Sequence, residues 1–202
     1  MPTQIQLFKT ETINYHVEIP YVLSTKIQTD DNLLQKRMIA CIEQQLTRNP
    51  NYHGGYTFEV KDPCNDFAKI YNTFFSIVSN IFGPFNLSTK QRNYCWANVY
   101  NKDSYRSNLH HHLRTSSVNG IFYLNLPSAT DGGLKLVHDD QELTFMPENL
   151  DLLIMPAWMP HEPLPVNTLE NRIAINMEIA TIEHVDDYYL LDKIFKKATP
   201  NV

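Results

Sequence analysis

The chain is poor in the features that would announce a simple role. It has only 3 cysteines, Cys41, Cys64 and Cys95, with no C-x-x-C spacing. That excludes a disulfide scaffold and a thiolate zinc site, and predicts reduced thiols in a cytoplasmic setting. No apolar run approaches the ~20 residues of a membrane span, and no apolar N-terminal stretch resembles a signal peptide, so no membrane association is expected. Basic residues are also in deficit. Lys and Arg number 17 against 22 Asp and Glu, for a net charge of -5. A surface that neutralises phosphates would need the opposite balance, which argues against nucleic acid as a partner. Glycine (6) and proline (12) are too few for a fibrous or low-complexity chain. Repeats and linker-like tracts are missing as well. What is left is an ordinary globular composition, 43% hydrophobic over 202 residues, enough for one domain with a sizeable core.

The pattern along the chain changes twice. Short strand-like pieces at 5–8 and 15–19 end at Pro20. Over 30–48 the apolar residues Leu33, Leu34, Met38, Cys41, Ile42 and Leu46 recur at steps of three and four, the period of a helix. Asp30 and Asp31 suit its positive end. A second helix is predicted over 66–82, with Asn65 as its cap and Gly83-Pro84 as its stop. Its aromatic-rich face, including Phe67, Tyr71, Phe74 and Phe75, is expected to pack on a sheet. From residue 93 the chain becomes β-rich, with candidate strands at 94–100, 108–112, 118–126, 134–138, 142–145, 151–155 and 172–180. Many short strands with turn residues between them predict a barrel or sandwich. A final short helix is expected over 186–197. The single domain thus divides into strands and supporting helices (1–92), a β core (93–181) and a C-terminal helix (182–202).

Histidine is where chemistry concentrates. His110-His111-His112 precedes the 118–126 strand, and His161 follows the apolar 151–155 strand. In an extended segment residues i and i+2 share a face, so His110 and His112 converge while His111 points away. A distant histidine such as His161 can complete one face of a coordination sphere, and imidazole suits iron, zinc, copper or nickel. A surface cluster without a resident metal is the competing reading of the triple. Arg172 opens a strictly alternating strand in which Arg172, Ala174, Asn176 and Glu178 lie on one face and Ile173, Ile175, Met177 and Ile179 on the other. If the polar face is interior, Arg172 needs an anion, and a carboxylate fits a guanidinium through two parallel hydrogen bonds.

Taken in order, Trp96-Ala97-Asn98, His110-His111-His112, Asn119-Gly120-Ile121-Phe122-Tyr123, Gly132-Gly133-Leu134, the Pro156 to His161 run and Arg172-Ile173 resemble the 2-oxoglutarate- and Fe(II)-dependent oxygenases. The likeness is to a small, prolyl-hydroxylase-like family and covers residues 94–180. It implies a mainly β (α+β) fold, a double-stranded β-helix or jelly roll buttressed by the two helices. It implies Fe(II) held by His110, His161 and a third ligand, and 2-oxoglutarate held at its distal carboxylate by Arg172. Asn98, Tyr100 and Tyr123 become further contacts to that co-substrate. The implied activity is a hydroxylase that consumes O2 and 2-oxoglutarate, releases succinate and CO2, and acts on a protein side chain or a small metabolite. Nothing in the pattern fixes whether it forms a homo-oligomer.

Two positions depart from the family. The superfamily usually carries an acid where this chain has His112, so either three histidines bind the metal, or another acid, such as Asp139, closes the site, or iron binding is weakened. Glu178 stands where a polar amide is expected, and needs a partner if it points inward. A three-histidine, cupin-like metalloprotein independent of 2-oxoglutarate is one alternative, and a non-catalytic jelly roll used for binding is another.

Overall fold

A computed structural model describes residues 6–7, 11–12, 16–19, 22–48, 56–61, 65–82, 95–105, 108–113 and 115–180. The strands are β1 (Gln6–Leu7), β2 (Glu11–Thr12), β3 (His16–Ile19), β4 (Val22–Lys26), β5 (Tyr56–Glu59), β6 (Cys95–Tyr100), β7 (Val118–Asn125), β8 (Leu134–His138), β9 (Gln141–Phe145), β10 (Asp151–Pro156), β11 (His161–Pro163) and β12 (Arg172–Ile179). Of two helices, α1 (Leu34–Thr47) lies between β4 and β5, and α2 (Asp66–Phe82) between β5 and β6. The C-terminal helix expected over 186–197 lies outside the described residues, as do Gly83 and Pro84. No helix among the described residues is long and apolar enough to cross a membrane.

A seven-stranded sheet, in the order β3-β4-β10-β7-β12-β6-β5, faces a three-stranded sheet, β11-β8-β9. Every pairing is antiparallel. The large sheet separates two cores. On its outer face Phe122, Leu124, Leu152, Ile154, Ile173, Ile175 and Ile179 pack against Met38 and Ile42 of α1 and Ile70, Phe74 and Ile77 of α2. On its inner face Ile121, Tyr123, Leu153, Met155 and Ala174 pack against Leu134, Leu136, Trp158 and Met159. Successive side chains of a strand point to opposite faces, which divides β7, β10 and β12 between the two cores. At Gly120 the Phe74 ring of α2 lies close against the sheet. A Cβ there would lie 2.8 Å from the Phe74 ring, so only glycine fits without displacement.

The helices buttress one sheet, as their apolar faces predict. The α2 boundaries agree with the sequence reading. The α1 helix starts at Leu34, because Asp31 forms a turn ahead of it, its Oδ1 and carbonyl oxygen accepting from the Leu33 and Leu34 amides. Asn65, expected to cap α2, has a left-handed φ of 58°, and its carbonyl accepts from the Lys69 amide. The predicted strand at 108–112 is not a strand. It is reduced to one bridge between His110 and His161, after which the Thr115 and Ser116 amides donate to the His112 carbonyl. Four strands, β2, β4, β5 and β11, were not anticipated.

Candidate active site

The inner face of β12 carries the polar series of the alternating strand. Its register places Arg172 opposite Tyr100, Ala174 opposite Asn98 and Asn176 opposite Trp96 on β6. On the other side Ala174 meets Tyr123, and Glu178 meets Asn119, on β7. Four of the residues singled out in the sequence, Asn98, Tyr100, Tyr123 and Arg172, therefore lie side by side across three adjacent strands. Arg172 is among the largest fully buried side chains, 1% exposed. Its guanidinium carbon lies 4.8 Å from the centre of the Tyr100 ring and 5.2 Å from that of Tyr123. Arg172 Nε and Nη1, and the hydroxyls of Tyr100 and Tyr123, have no hydrogen-bond partner among the described residues. Burial raises the Tyr100 phenol to about 12 and moves that of Tyr123 further in the same direction, with nearby Arg172 opposing both shifts. Both hydroxyls hence keep their protons and can donate. A buried cation and two phenols without acceptors is a costly arrangement in isolation, and it has the chemistry of a carboxylate pocket.

The histidines gather at the opposite end of this interior. The backbones of His110 and His161 bridge, with amide-to-carbonyl distances of 3.1 and 2.8 Å, and the His112 amide donates to the Ala157 carbonyl at 2.8 Å. Candidate ligand atoms of His110, His112 and His161 all lie within 4.8 Å of one another. In each ring Nδ1 is already engaged: in His110 with the Asn108 carbonyl at 2.8 Å, in His161 with the Met159 carbonyl at 2.9 Å, and in His112 with the Glu178 carboxylate at 2.6 Å. Those partners are acceptors, so each Nδ1 donates and Nε2 is the atom that each ring can offer to a metal. Burial pushes His161 down to about 3, a shift reinforced by the neighbouring histidines and opposed by its bond to Met159, so it stays neutral. Three imidazoles with oriented rings are a competent donor set for iron, and equally for nickel, copper or zinc.

His111 is exposed and takes no part, as the i and i+2 argument predicts. Asp139 is not a ligand. It occupies the two-residue β8–β9 turn with Asp140, both at positive φ (48° and 61°), and its side chain is 87% exposed beside His138. A tight hairpin of this kind turns its central side chains out to solvent. The partner that Glu178 requires is His112, with Thr115 Oγ1 as a second donor at 3.2 Å. No sequence signal indicated that pair. Trp96, quoted only as part of a motif, has its ring 6.0 Å from that of His112.

No family model and no curated protein matches the sequence. Solved structures do match the fold. A Pseudomonas putida prolyl-4-hydroxylase superposes with a TM-score of 0.58 at 16% identity, over 80% of this chain and 92% of its own. A Trichoplax adhaerens prolyl hydroxylase, solved with a hypoxia inducible factor oxygen degradation domain peptide fragment, gives 0.63 at 17% identity, over 80% and 84%. HygX from Streptomyces hygroscopicus, solved with nickel and 2-oxoglutarate bound, gives 0.62 at 12% identity, over 81% and 84%. The chain shares the fold of these structures. That fold is the double-stranded β-helix expected from the sequence, and here the histidine cluster lies at one end of the large sheet's inner face and Arg172 at the other.

Proposed function

We propose that this protein is an Fe(II)- and 2-oxoglutarate-dependent oxygenase. The observation that carries the reading is Arg172: a fully buried guanidinium with two unpartnered nitrogens, on the same inner sheet face whose far end bears Glu178 and, through it, the histidine cluster. His110, His112 and His161 would hold the iron through Nε2. Arg172 would receive the distal carboxylate of 2-oxoglutarate, assisted by the Tyr100 and Tyr123 hydroxyls, while Asn98 lines the wall between. When bound, the iron and the keto acid supply O2 activation, with release of succinate and CO2, and hydroxylation of a C–H bond.

The protein's own part is placement. The paired backbones of His110 and His161 fix two ligands against each other, and the carbonyls of Asn108 and Met159 fix their tautomers. Arg172 and the phenols set the far end of the co-substrate, so that its keto acid end faces the histidines. The inner-face core of Tyr123, Leu134, Leu136, Met155 and Trp158 keeps that cavity dry. A protein side chain is the favoured substrate, with a small metabolite second; the two solved structures with a peptide fragment and with 2-oxoglutarate support one element of this each. A cytoplasmic location is the setting that three cysteines without C-x-x-C spacing support.

The second reading, a three-histidine metalloprotein that does not use 2-oxoglutarate, is favoured by the neutral donor set alone. Anaerobic Fe(II) titration, with and without 2-oxoglutarate, separates the two. The expected result is a metal-to-ligand charge-transfer band that needs both components, is lost in His110→Ala and survives in His111→Ala. Metal binding without that band would favour the second reading. Absence of metal binding, unchanged by His110→Ala, would sink both.

A further inference from the structure

The site has a charge problem. Two histidines and one carboxylate around a divalent ion leave a single positive charge, whereas three neutral histidines leave two. A keto acid and O2 then meet a more electron-poor metal. The structure offers a compensation one residue further out. Glu178 is buried, 3% exposed, and its Oε1 sits 2.6 Å from His112 Nδ1. His112 is the one of the three rings held by a side-chain carboxyl group; the other two are held by backbone carbonyls. Beyond His112, the side-chain donor to Glu178 among the described residues is the Thr115 hydroxyl, which is neutral. Its backbone is fixed as well, since the Tyr71 hydroxyl of α2 donates to the Glu178 carbonyl at 3.1 Å. The carboxylate is thus anchored and aimed at one ligand.

We propose that Glu178 is a positioning residue that delivers, through His112, the negative charge absent from the ligand set. The missing acid of the site has moved from the metal's own shell to the ring behind it. A carboxylate hydrogen-bonded to Nδ1 makes Nε2 a better donor and locks the ring plane, and it returns the net charge of the cluster to a single positive unit. This rests on the reading of His110, His112 and His161 as metal ligands.

The test uses Co(II) alone, titrated into the full chain and read through its d–d absorption, so no substrate or turnover is involved. Glu178→Gln, which keeps the volume and the Thr115 hydrogen bond, is expected to weaken Co(II) binding by about 10- to 100-fold. Glu178→Asp keeps the charge but stretches the hydrogen bond, and its affinity is expected to fall between the two. The decisive arm repeats Glu178→Gln in a His112→Asp background. There a carboxylate ligand and Glu178 face each other, like charges repel, and the same substitution is expected to be neutral or to strengthen binding. That reversal of sign is something a merely structural contact would not produce. Equal losses in both backgrounds, no loss in the parent, or identical affinities for Glu178→Asp and Glu178→Gln would each overturn the proposal. If His110→Ala still abolishes Co(II) binding in that event, the three-histidine site stands without Glu178. If it does not, both readings fail together.

Discussion

Arg172 and Tyr100 stand directly opposite each other in the β6–β12 ladder, the guanidinium carbon 4.8 Å from the ring centre. The ring face attracts the cation but supplies no hydrogen-bond acceptor, so the charge is positioned and left unsatisfied.

Replacing Arg172 by methionine should therefore act in opposite directions on stability and binding. Apolar replacement of a buried, unpaired charge removes a desolvation penalty, so the ligand-free protein should melt at a higher temperature than the parent. 2-Oxoglutarate affinity should fall by about 2 to 5 kcal/mol, the cost of breaking a buried charge pair. Thermal denaturation with and without 2-oxoglutarate, in the presence of Fe(II) and without O2, reads both effects. An unchanged ligand-induced shift would show that Arg172 has another task.

Gly120→Ala tests how tightly α2 lies on the sheet. The added methyl would sit 2.8 Å from Phe74, itself fully buried, and neither side has room to yield. A loss of about 1–3 kcal/mol in chemical denaturation is expected. Adding Phe74→Leu should recover part of it by relieving the clash. A double variant no more stable than the sum of the two single losses would argue against this packing.

Asp66 of α2 is tied to α1 through Arg37 and braced within its own helix by Lys69. Its side chain is 3% exposed and accepts from Arg37 Nε at 2.9 Å and Lys69 Nζ at 3.0 Å. Burial raises the carboxyl, but these hydrogen bonds and charges outweigh it and hold Asp66 below its ordinary value. A folded value below the unfolded one makes the contribution fully present above about pH 4, where the unfolded chain's Asp is also ionised, and lost as pH falls through the folded value. Asp66→Asn should accordingly be less stable than the parent at pH 7, with the gap narrowing below pH 4. A gap independent of pH would mean that shape rather than charge holds this corner.

Much of this was legible in the sequence because period and spacing carry it. The α2 helix declared both its ends, since eight apolar residues at helical spacing are bounded by turn formers. The two faces of β12 were equally plain. Which face is interior was not, because that depends on β6 and β7 as neighbours and on Tyr100 and Tyr123 sharing the side of Arg172. β4 was hidden because its pairing is decided by β10, 125 residues away for Lys26 and Asp151. The 108–112 segment misled through composition, because three histidines can line an extended strand or, as here, meet a partner at one bridge and turn away. The His112–Glu178 contact spans 66 residues, and only the completed sheet brings its partners together.

One consequence of β12 concerns its tolerance to mutation. Ile173, Ile175, Met177 and Ile179 belong to the helix-side core, while Arg172, Ala174, Asn176 and Glu178 line the interior around the site. No position along these eight residues is idle. A change that merely loosens the packing on one side shifts the reactive side chains on the other, so loss of activity in this strand will often come without loss of any group that touches a ligand. Saturation mutagenesis read for both folding and turnover would find here a stretch where the two phenotypes cannot be pulled apart, flanked by turns, such as that at Asp139 and Asp140, where nearly anything compatible with the bend is accepted.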